Sequence, residues 1–153
     1  MIAAIDIADD AWLRVADIEA LTERAIGAAL DHARADKNVE IGVLFASDAE
    51  AAKMNTQWRH KDYAPNILSF PAPKGMDVPN GEPKPLGDLI LASGTVAREA
   101  EEQGKPLTSH LTHLIVHGTL HLLGFDHIEE ADAQRMETAE VAILAGLGVP
   151  DPY

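Results

Sequence analysis

At residues 117–127 the chain reads HGTLHLLGFDH, which contains three of its seven histidines in the spacing HxxxHxxGxxH. Residues four apart lie on one face of a helix, about 6 Å apart along its axis, so His117 and His121 can direct their rings at one point. Gly124 is expected to end that helix, because glycine adopts the left-handed conformation beyond a helix terminus at little steric cost. The chain then turns back, and His127 can supply a third imidazole.

Three neutral imidazoles that leave one position open form a common arrangement around catalytic zinc, with water as the fourth ligand. A single histidine on an apolar helix is more often a packed or surface residue than a ligand. Three histidines at ligand spacing, with a chain reversal between them, favour a metal site. The sequence therefore predicts one zinc ion bound by His117, His121 and His127. The chain has no cysteine, so carboxylates are the other candidate ligands.

The length and charge of the chain limit the class of protein. A chain of 153 residues can bury one core, so we expect residues 1–153 to form a single domain. The net charge of −13 is opposite to that of most electrostatically driven nucleic-acid binders, although a local basic cluster or a protein partner could still present a nucleic acid. The absence of cysteine, of an apolar leader and of a long apolar run predicts a soluble cytoplasmic protein without membrane contact.

Hydrophobic periodicity predicts four strands and five helices along the chain. Strands are expected at residues 2–8 (a sheet edge), 39–46, 66–70 and 86–93. Helices are expected at residues 18–35 (capped by Asp17), 47–58 (with a Ser47/Glu50 capping box), 95–103, from 108 or 109 through the histidine motif, and 129–145. Residues 71–85 contain five prolines and two glycines, which predicts a mobile excursion that either binds a ligand or is disordered.

Two more histidines extend the metal face towards the start of its helix. His113 could support the metal side or face a substrate, or it could simply pack, whereas His110 is expected at the surface. The opposite side of the helix is apolar, with Met136, Ile143 and Leu144 of the last helix as further core candidates. The histidine helix is therefore expected in the core, with its metal face at a cleft.

The histidine spacing also occurs in zinc endopeptidases of the metzincin type, where a glutamate follows the first histidine. Gly118 occupies that position here, so the usual general base for peptide cleavage is missing. A phosphodiester is the more attractive substrate. A metal lowers the pKa of bound water and polarises a phosphoryl oxygen, while an arginine stabilises the growing charge.

The roles of two polar segments stay open at this point. Arg59, His60 and Lys61 follow the second helix, where they either interact favourably with its C-terminus or contact a phosphate. Asp126 precedes a proposed ligand, and it could orient an imidazole, cap the last helix or act as the general base.

The motif HGTLHLLGFDH, followed by IEEADAQRME, resembles the YbeY family of metal-dependent bacterial endoribonucleases. Arg59 and the segments NILSFP and GDLILA extend the similarity over roughly residues 39–145. The resemblance implies that His117, His121 and His127 bind zinc and that Arg59 is the catalytic residue on the phosphate side. It also implies an α+β fold in which a small mixed β-sheet packs against several helices, mainly on one side. The metal site is then expected in a cleft formed by a helix and the following turn.

The same resemblance implies cleavage of single-stranded RNA, 3′-end processing of small-subunit ribosomal RNA and ribosome quality control. The expected partner is the small ribosomal subunit, reached through a ribosomal protein. Where the family commonly reads TDVLSF this chain reads PNILSF, so Pro65 and Asn66 replace a threonine and an aspartate. Asn66 can accept a hydrogen bond but supplies no charge.

Several alternatives remain open from the sequence. RNA cleavage could use a metal-activated water or the ribose 2′-hydroxyl as the nucleophile. A peptidase or esterase would keep the zinc site without needing Arg59. A non-catalytic assembly factor would use zinc structurally, and its acidic charge would suit docking on a basic ribosomal protein. No feature of the sequence specifies an oligomeric state.

Overall fold

A computed structural model describes residues 1–75 and 77–153, which form a four-stranded sheet and five α-helices. The strands are β1 (Ile2–Ile7), β2 (Val39–Ala46), β3 (Ile67–Pro71) and β4 (Lys84–Ala92). The helices are α1 (Ile18–His32), α2 (Asp48–Arg59), α3 (Ser93–Glu102), α4 (Leu107–Leu122) and α5 (Glu130–Gly146), with a short 3-10 helix at Asp10–Arg14. The predicted α+β fold is confirmed.

The sheet has the strand order β1-β2-β4-β3. β1 pairs in parallel with β2 and β2 in parallel with β4, whereas β3 runs antiparallel to β4. The sheet is therefore mixed, and β1 lies at its edge as predicted. In the part of the chain that is described, no helix is long and apolar enough to cross a membrane.

The main core lies between the sheet and α1, α4 and α5. Alternate residues of β2 supply one side of it, as the period of two predicts, and the apolar stripe of α4 supplies the other. The predicted core residues Met136, Ile143 and Leu144 are buried here. So are Val39, Ile41, Val43 and Phe45 of β2 and Leu111, Leu114, Ile115 and Leu122 of α4. α4 is thus fixed against both the sheet and its neighbouring helices.

The opposite face of the sheet is only partly covered. Ala51 of α2 packs there in a small second cluster with residues of β2, β3 and β4. A groove of about 750 Å³ lies beside α2 and is lined by residues that include Leu44, Trp58 and Asp88. Helices therefore cover mainly one side of the sheet, as expected.

The N-terminus of α2 is capped as predicted, whereas those of α1 and α3 differ from the prediction. Asp17 precedes α1 but adopts a left-handed conformation (φ 51°), and its side chain makes no capping hydrogen bond. Ser47 does cap α2, because its hydroxyl accepts a hydrogen bond from the Glu50 amide at 3.2 Å. α3 begins at Ser93 rather than Thr95, and the Thr95 amide donates to Asp48 of α2 at 2.9 Å.

The proline-rich segment is shorter than predicted, since Pro71 belongs to β3 and Lys84 begins β4. Between the strands, the Glu82 amide donates to the Pro79 carbonyl at 3.1 Å. Met76 of this predicted excursion lies outside the described residues.

Candidate functional site

The predicted histidine triad comes together at the C-terminal end of α4. His117 and His121 share one helix face, and Gly124 takes a positive φ of 99° directly after the helix. The Phe125 amide then donates to the Leu120 carbonyl at 3.0 Å, which turns the chain back and brings His127 to the same point. One ring nitrogen of each histidine lies within 4.8 Å of the other two, so the triad could hold a metal ion.

The geometry and charge of the triad suit a transition metal. The Nε2 atoms of His117 and His121 are 3.1 Å apart, close to the roughly 3.3 Å expected between nitrogens bound tetrahedrally at about 2.0–2.1 Å. Burial, together with the nearby His117 and His127 rings, lowers the pKa of His121 to about 4. This imidazole is therefore neutral near pH 7, which is the form that binds metals.

Glu140 of α5 is a component of the site that sequence reasoning missed. Its side chain is fully buried, and Oε1 lies 2.5 Å from Nδ1 of His117. His113 donates from Nε2 to Oε2 at 3.0 Å, and the Tyr153 hydroxyl donates to the same oxygen. Burial raises the pKa of this carboxyl, but the hydrogen bonds from His113, His117 and Tyr153 outweigh it and lower the pKa to about 2.

A signal for Glu140 exists in the sequence. It lies four residues after Met136 and three and four residues before Ile143 and Leu144, so it occupies the apolar stripe of α5. An acidic residue in a core stripe calls for a buried partner. The sequence does not specify which partner, because the crossing of α4 and α5 determines it.

The two additional histidines of α4 are both tied to carboxylates. His113 contacts Glu140, which agrees with the hypothesis that it supports the metal side. The expectation that His110 lies at the surface is wrong, since it is only 4% exposed and its Nε2 lies 2.9 Å from Oε1 of Glu99. α3 packs against α4 and places Glu99 over this histidine.

Asn66, the residue at the family's aspartate position, belongs to the same polar group. Its Nδ2 donates to Glu99 at 3.0 Å, and its Oδ1 accepts from the Ile67 amide at 2.7 Å. Asn66 therefore joins the start of β3 to α3.

Arg59, the last residue of α2, lines the same cleft as the triad. This cleft has a volume of about 630 Å³, and its walls include Arg59, Lys61, His117, His121 and His127. The Arg59 Nη2 donates to the Ser69 carbonyl at 2.7 Å, and the guanidinium carbon lies 5.0 Å from the centre of the Phe70 ring. These contacts with β3 hold an exposed cation in the same cleft as the histidines.

The basic trio lies at the C-terminus of α2 and next to the cleft. His60 adopts a left-handed conformation (φ 58°) and ends α2, with the Lys61 amide bonded to the Asn55 carbonyl at 3.3 Å. The helix C-terminus thus has basic residues next to it, while Arg59 and Lys61 also reach the cleft.

Asp126 also lines the cleft, next to His127. Its Oδ1 accepts a hydrogen bond from the Ile128 amide at 3.2 Å. The N-cap of α5 is Glu129, so the hypothesis that Asp126 caps this helix is wrong. The carboxylate that contacts His117 is Glu140, which leaves Asp126 as an acidic group of the cleft.

The packing around Gly118 leaves little room at the position where a metzincin peptidase has its glutamate. A Cβ atom at this position would lie 2.8 Å from both Ile67 Cδ1 and Leu89 Cδ2. Position 118 therefore faces the sheet at close range, and the absence of a side chain lets α4 approach β3 and β4.

The sequence of this chain matches one family of known proteins. The family model described as Endoribonuclease YbeY matches residues 5–148. An endoribonuclease YbeY of Rhodopseudomonas palustris strain BisB18 is 48% identical over 150 residues, covering 96% of this chain and 89% of that protein. One from Dinoroseobacter shibae is 48% identical over 166 residues, covering 99% and 91%.

The fold is shared with a solved structure. The solution structure of TM1509 from Thermotoga maritima aligns with a TM-score of 0.59 at 19% sequence identity, covering 96% of this chain and 92% of that one. The family match and the relatives that are nearly half identical along almost the whole chain establish the relationship: this chain belongs to the Endoribonuclease YbeY family.

Proposed function

We propose that this protein is a zinc-dependent endoribonuclease that cleaves single-stranded RNA during ribosomal RNA maturation. The observation that carries the proposal is one cleft that joins a histidine triad suited to a metal with an arginine held beside it. Membership of a family described as endoribonucleases supports the reaction type.

One zinc ion would be held by His117, His121 and His127. When bound, zinc lowers the pKa of a coordinated water and polarises a phosphoryl oxygen. His127 is exposed and His121 is half-buried, so a ligand that enters the cleft can reach this end of α4.

Arg59 would bind the scissile phosphate. A guanidinium has five N–H donors, and the hydrogen bond to the Ser69 carbonyl uses only one of them. The remaining donors can bind the non-bridging oxygens, where charge increases in the transition state. Lys61, on the same wall, adds a second positive charge.

The cleft favours a single strand as the substrate. Its volume of about 630 Å³ falls within the range of small-ligand sites, which suits a single nucleotide. The exposed Tyr63 and Ile128 on its walls offer apolar surface to an unstacked base.

The place of this activity in the cell would be the maturation of small-subunit ribosomal RNA at its 3′ end and ribosome quality control. A net charge of −13 disfavours RNA binding over the whole surface. The same charge favours contact with a basic ribosomal protein, which would bring the cleft to its RNA.

The deciding experiment compares RNA cleavage by the zinc-loaded protein with that of the Arg59→Ala and His117→Ala variants at fixed salt. The exposed Arg24 of α1 lies outside the cleft, so Arg24→Ala is the matched control for lost charge. We expect normal cleavage with the control and strong loss with the other two variants. Equal rates in all four proteins would indicate a contaminating nuclease and contradict the proposal.

Product analysis and cell growth separate the remaining alternatives. A 2′,3′-cyclic phosphate end identifies the ribose 2′-hydroxyl as nucleophile, whereas attack by water gives no cyclic product. A peptidase or esterase would retain activity in Arg59→Ala. A non-catalytic assembly factor would support ribosome maturation in cells whose only copy carries a folded but inactive variant.

A further inference from the structure

Glu140 is deeply buried, and its carboxylate accepts hydrogen bonds from three side chains. Its side chain is 0% exposed, yet three groups from two other segments bond to its carboxylate. Two donors come from α4 and the third is the Tyr153 hydroxyl. A buried charge is costly unless its lone pairs are satisfied, and the three donors offset that cost for a charged acceptor beside the histidine triad.

The contact determines which nitrogen of His117 carries the hydrogen. An ionised carboxylate can only accept hydrogen bonds, so the group 2.5 Å from Oε1 must be Nδ1–H. A neutral His117 then has its lone pair on Nε2. That atom is the nitrogen 3.1 Å from Nε2 of His121, on the side where a metal would bind.

The same argument applies to His113. Its Nε2 donates to Glu140, so the neutral ring has its lone pair on Nδ1. In the described residues this Nδ1 is buried without a hydrogen-bond partner. An unpaired acceptor there agrees with the assignment, since a buried unpaired N–H is the rarer case.

We propose that Glu140 is a positioning residue of the metal centre, which holds the Nδ1–H tautomer and ring orientation of His117 so that Nε2 faces the ion. His113 and Tyr153 in turn hold the carboxylate in place. The inference rests on the proposed function only in taking His117 as a ligand. Carboxylates that accept from a ligating histidine orient it and raise its basicity, and their loss typically lowers metal affinity about 10–100-fold.

A purely structural role for Glu140 makes a different prediction. As a polar link between α4 and α5 it would affect the stability of the fold but not the affinity of the folded protein for zinc. Metal affinity is therefore the deciding measurement, and it needs no RNA.

The main test is Glu140→Gln, which keeps the size of the side chain but removes its charge and one acceptor oxygen. We expect zinc affinity, measured by competition with a chelator at pH 7, to fall about 10–100-fold in a protein that stays folded by circular dichroism. Glu137→Gln removes the same charge from an exposed position of α5 and should bind zinc normally. Unchanged affinity in folded Glu140→Gln would overturn the proposal.

A second measurement covers the case in which Glu140→Gln does not fold. Long-range ¹H–¹⁵N spectra of the metal-free wild type report the histidine tautomers directly. We expect Nδ1–H for His117 and Nε2–H for His113, and an Nε2–H signal for His117 would contradict the proposal. If zinc affinity falls as expected while no RNA is cleaved by any form, the proposed nuclease function fails and the role of Glu140 stands.

Discussion

Asn66, directly before β3, donates a hydrogen bond from Nδ2 to Glu99 of α3 at 3.0 Å, and Nε2 of His110 in α4 lies 2.9 Å from the same carboxylate. The asparagine thus lies against a carboxylate. An aspartate at this position would bring two negative charges together and lose the donor.

We therefore expect Asn66→Asp to lower the free energy of unfolding by about 1–2 kcal/mol at pH 7. The loss should shrink in acid, because repulsion raises the carboxyl pKa values and protonation then restores a donor. Urea unfolding of wild type and variant at pH 7 and pH 4 measures this. Adding Glu99→Gln should recover much of the loss, whereas equal stability of Asn66→Asp and wild type would contradict this reading of the contact.

The sequence predicted those parts of the site that depend on local geometry. The spacing of His117 and His121 specifies a shared helix face, and Gly124 specifies the turn that brings in His127. Arg59 was placed by resemblance, and the contact of its guanidinium with Ser69 explains how a residue far along the chain reaches the cleft.

The missed features depend on how helices cross. His110 is buried because α3 brings Glu99 over it, and Glu140 reaches His117 from 23 residues away. Hydrophobic periodicity predicts which helix faces are buried, but it does not predict which polar atoms meet across them. A contact between helices also accounts for the early start of α3. The Asp48 carboxylate of α2 accepts a hydrogen bond from the Thr95 amide.

The stability of the protein should fall when any side chain is introduced at position 118. Gly118→Ala adds a Cβ 2.8 Å from Ile67 Cδ1 and Leu89 Cδ2, and overpacking of this kind costs about 1–3 kcal/mol. The better helix propensity of alanine offsets roughly 1 kcal/mol of that cost. We expect a net loss of about 1 kcal/mol in thermal or urea unfolding.

The exposed Gly146, in the last turn of α5, provides the control, because a Cβ there meets no atom within 4 Å. Gly146→Ala should not destabilise the protein. A Gly118→Ala variant as stable as Gly146→Ala would show that α4 does not need this close approach to the sheet.

The hydrogen bond from the Ser93 hydroxyl to Asp9, 2.5 Å long, should appear in the pH dependence of stability. This bond, with one from the Ala11 amide, lowers the pKa of Asp9 below its ordinary value. A lowered carboxyl pKa contributes stability that is present above the unfolded pKa and lost as pH falls through the folded one. Ser93→Ala should therefore raise the pKa of Asp9, as measured by carboxyl NMR titration.

The stability difference between wild type and Ser93→Ala should have two parts. The part linked to Asp9 should be constant near neutral pH and shrink as the solution becomes more acidic than about pH 4. A difference that grows on acidification would have the wrong sign for this bond.

Arg59→Lys tests whether charge alone suffices at the phosphate. Lysine keeps the positive charge but lacks the planar set of donors that can bond Ser69 and a phosphate at the same time. We expect kcat/KM for single-stranded RNA to fall about 10–100-fold, less than the 10²–10³-fold expected for Arg59→Ala. Full activity of Arg59→Lys would reduce the role of this residue to that of a point charge.

Tyr63 should contribute to RNA binding through its ring. It is 55% exposed on the cleft wall, and its loop is held because the buried Asn55 donates from Nδ2 to the Tyr63 carbonyl at 3.0 Å. Stacking of a base on an aromatic ring contributes about 1–3 kcal/mol, so Tyr63→Ala should weaken RNA binding about 5–150-fold.

Tyr63→Phe keeps the ring and should bind like wild type, which separates stacking from hydrogen bonding by the hydroxyl. Fluorescence anisotropy with a labelled single-stranded oligonucleotide and folded, cleavage-deficient protein measures both, and equal weakening by the two substitutions would exclude stacking.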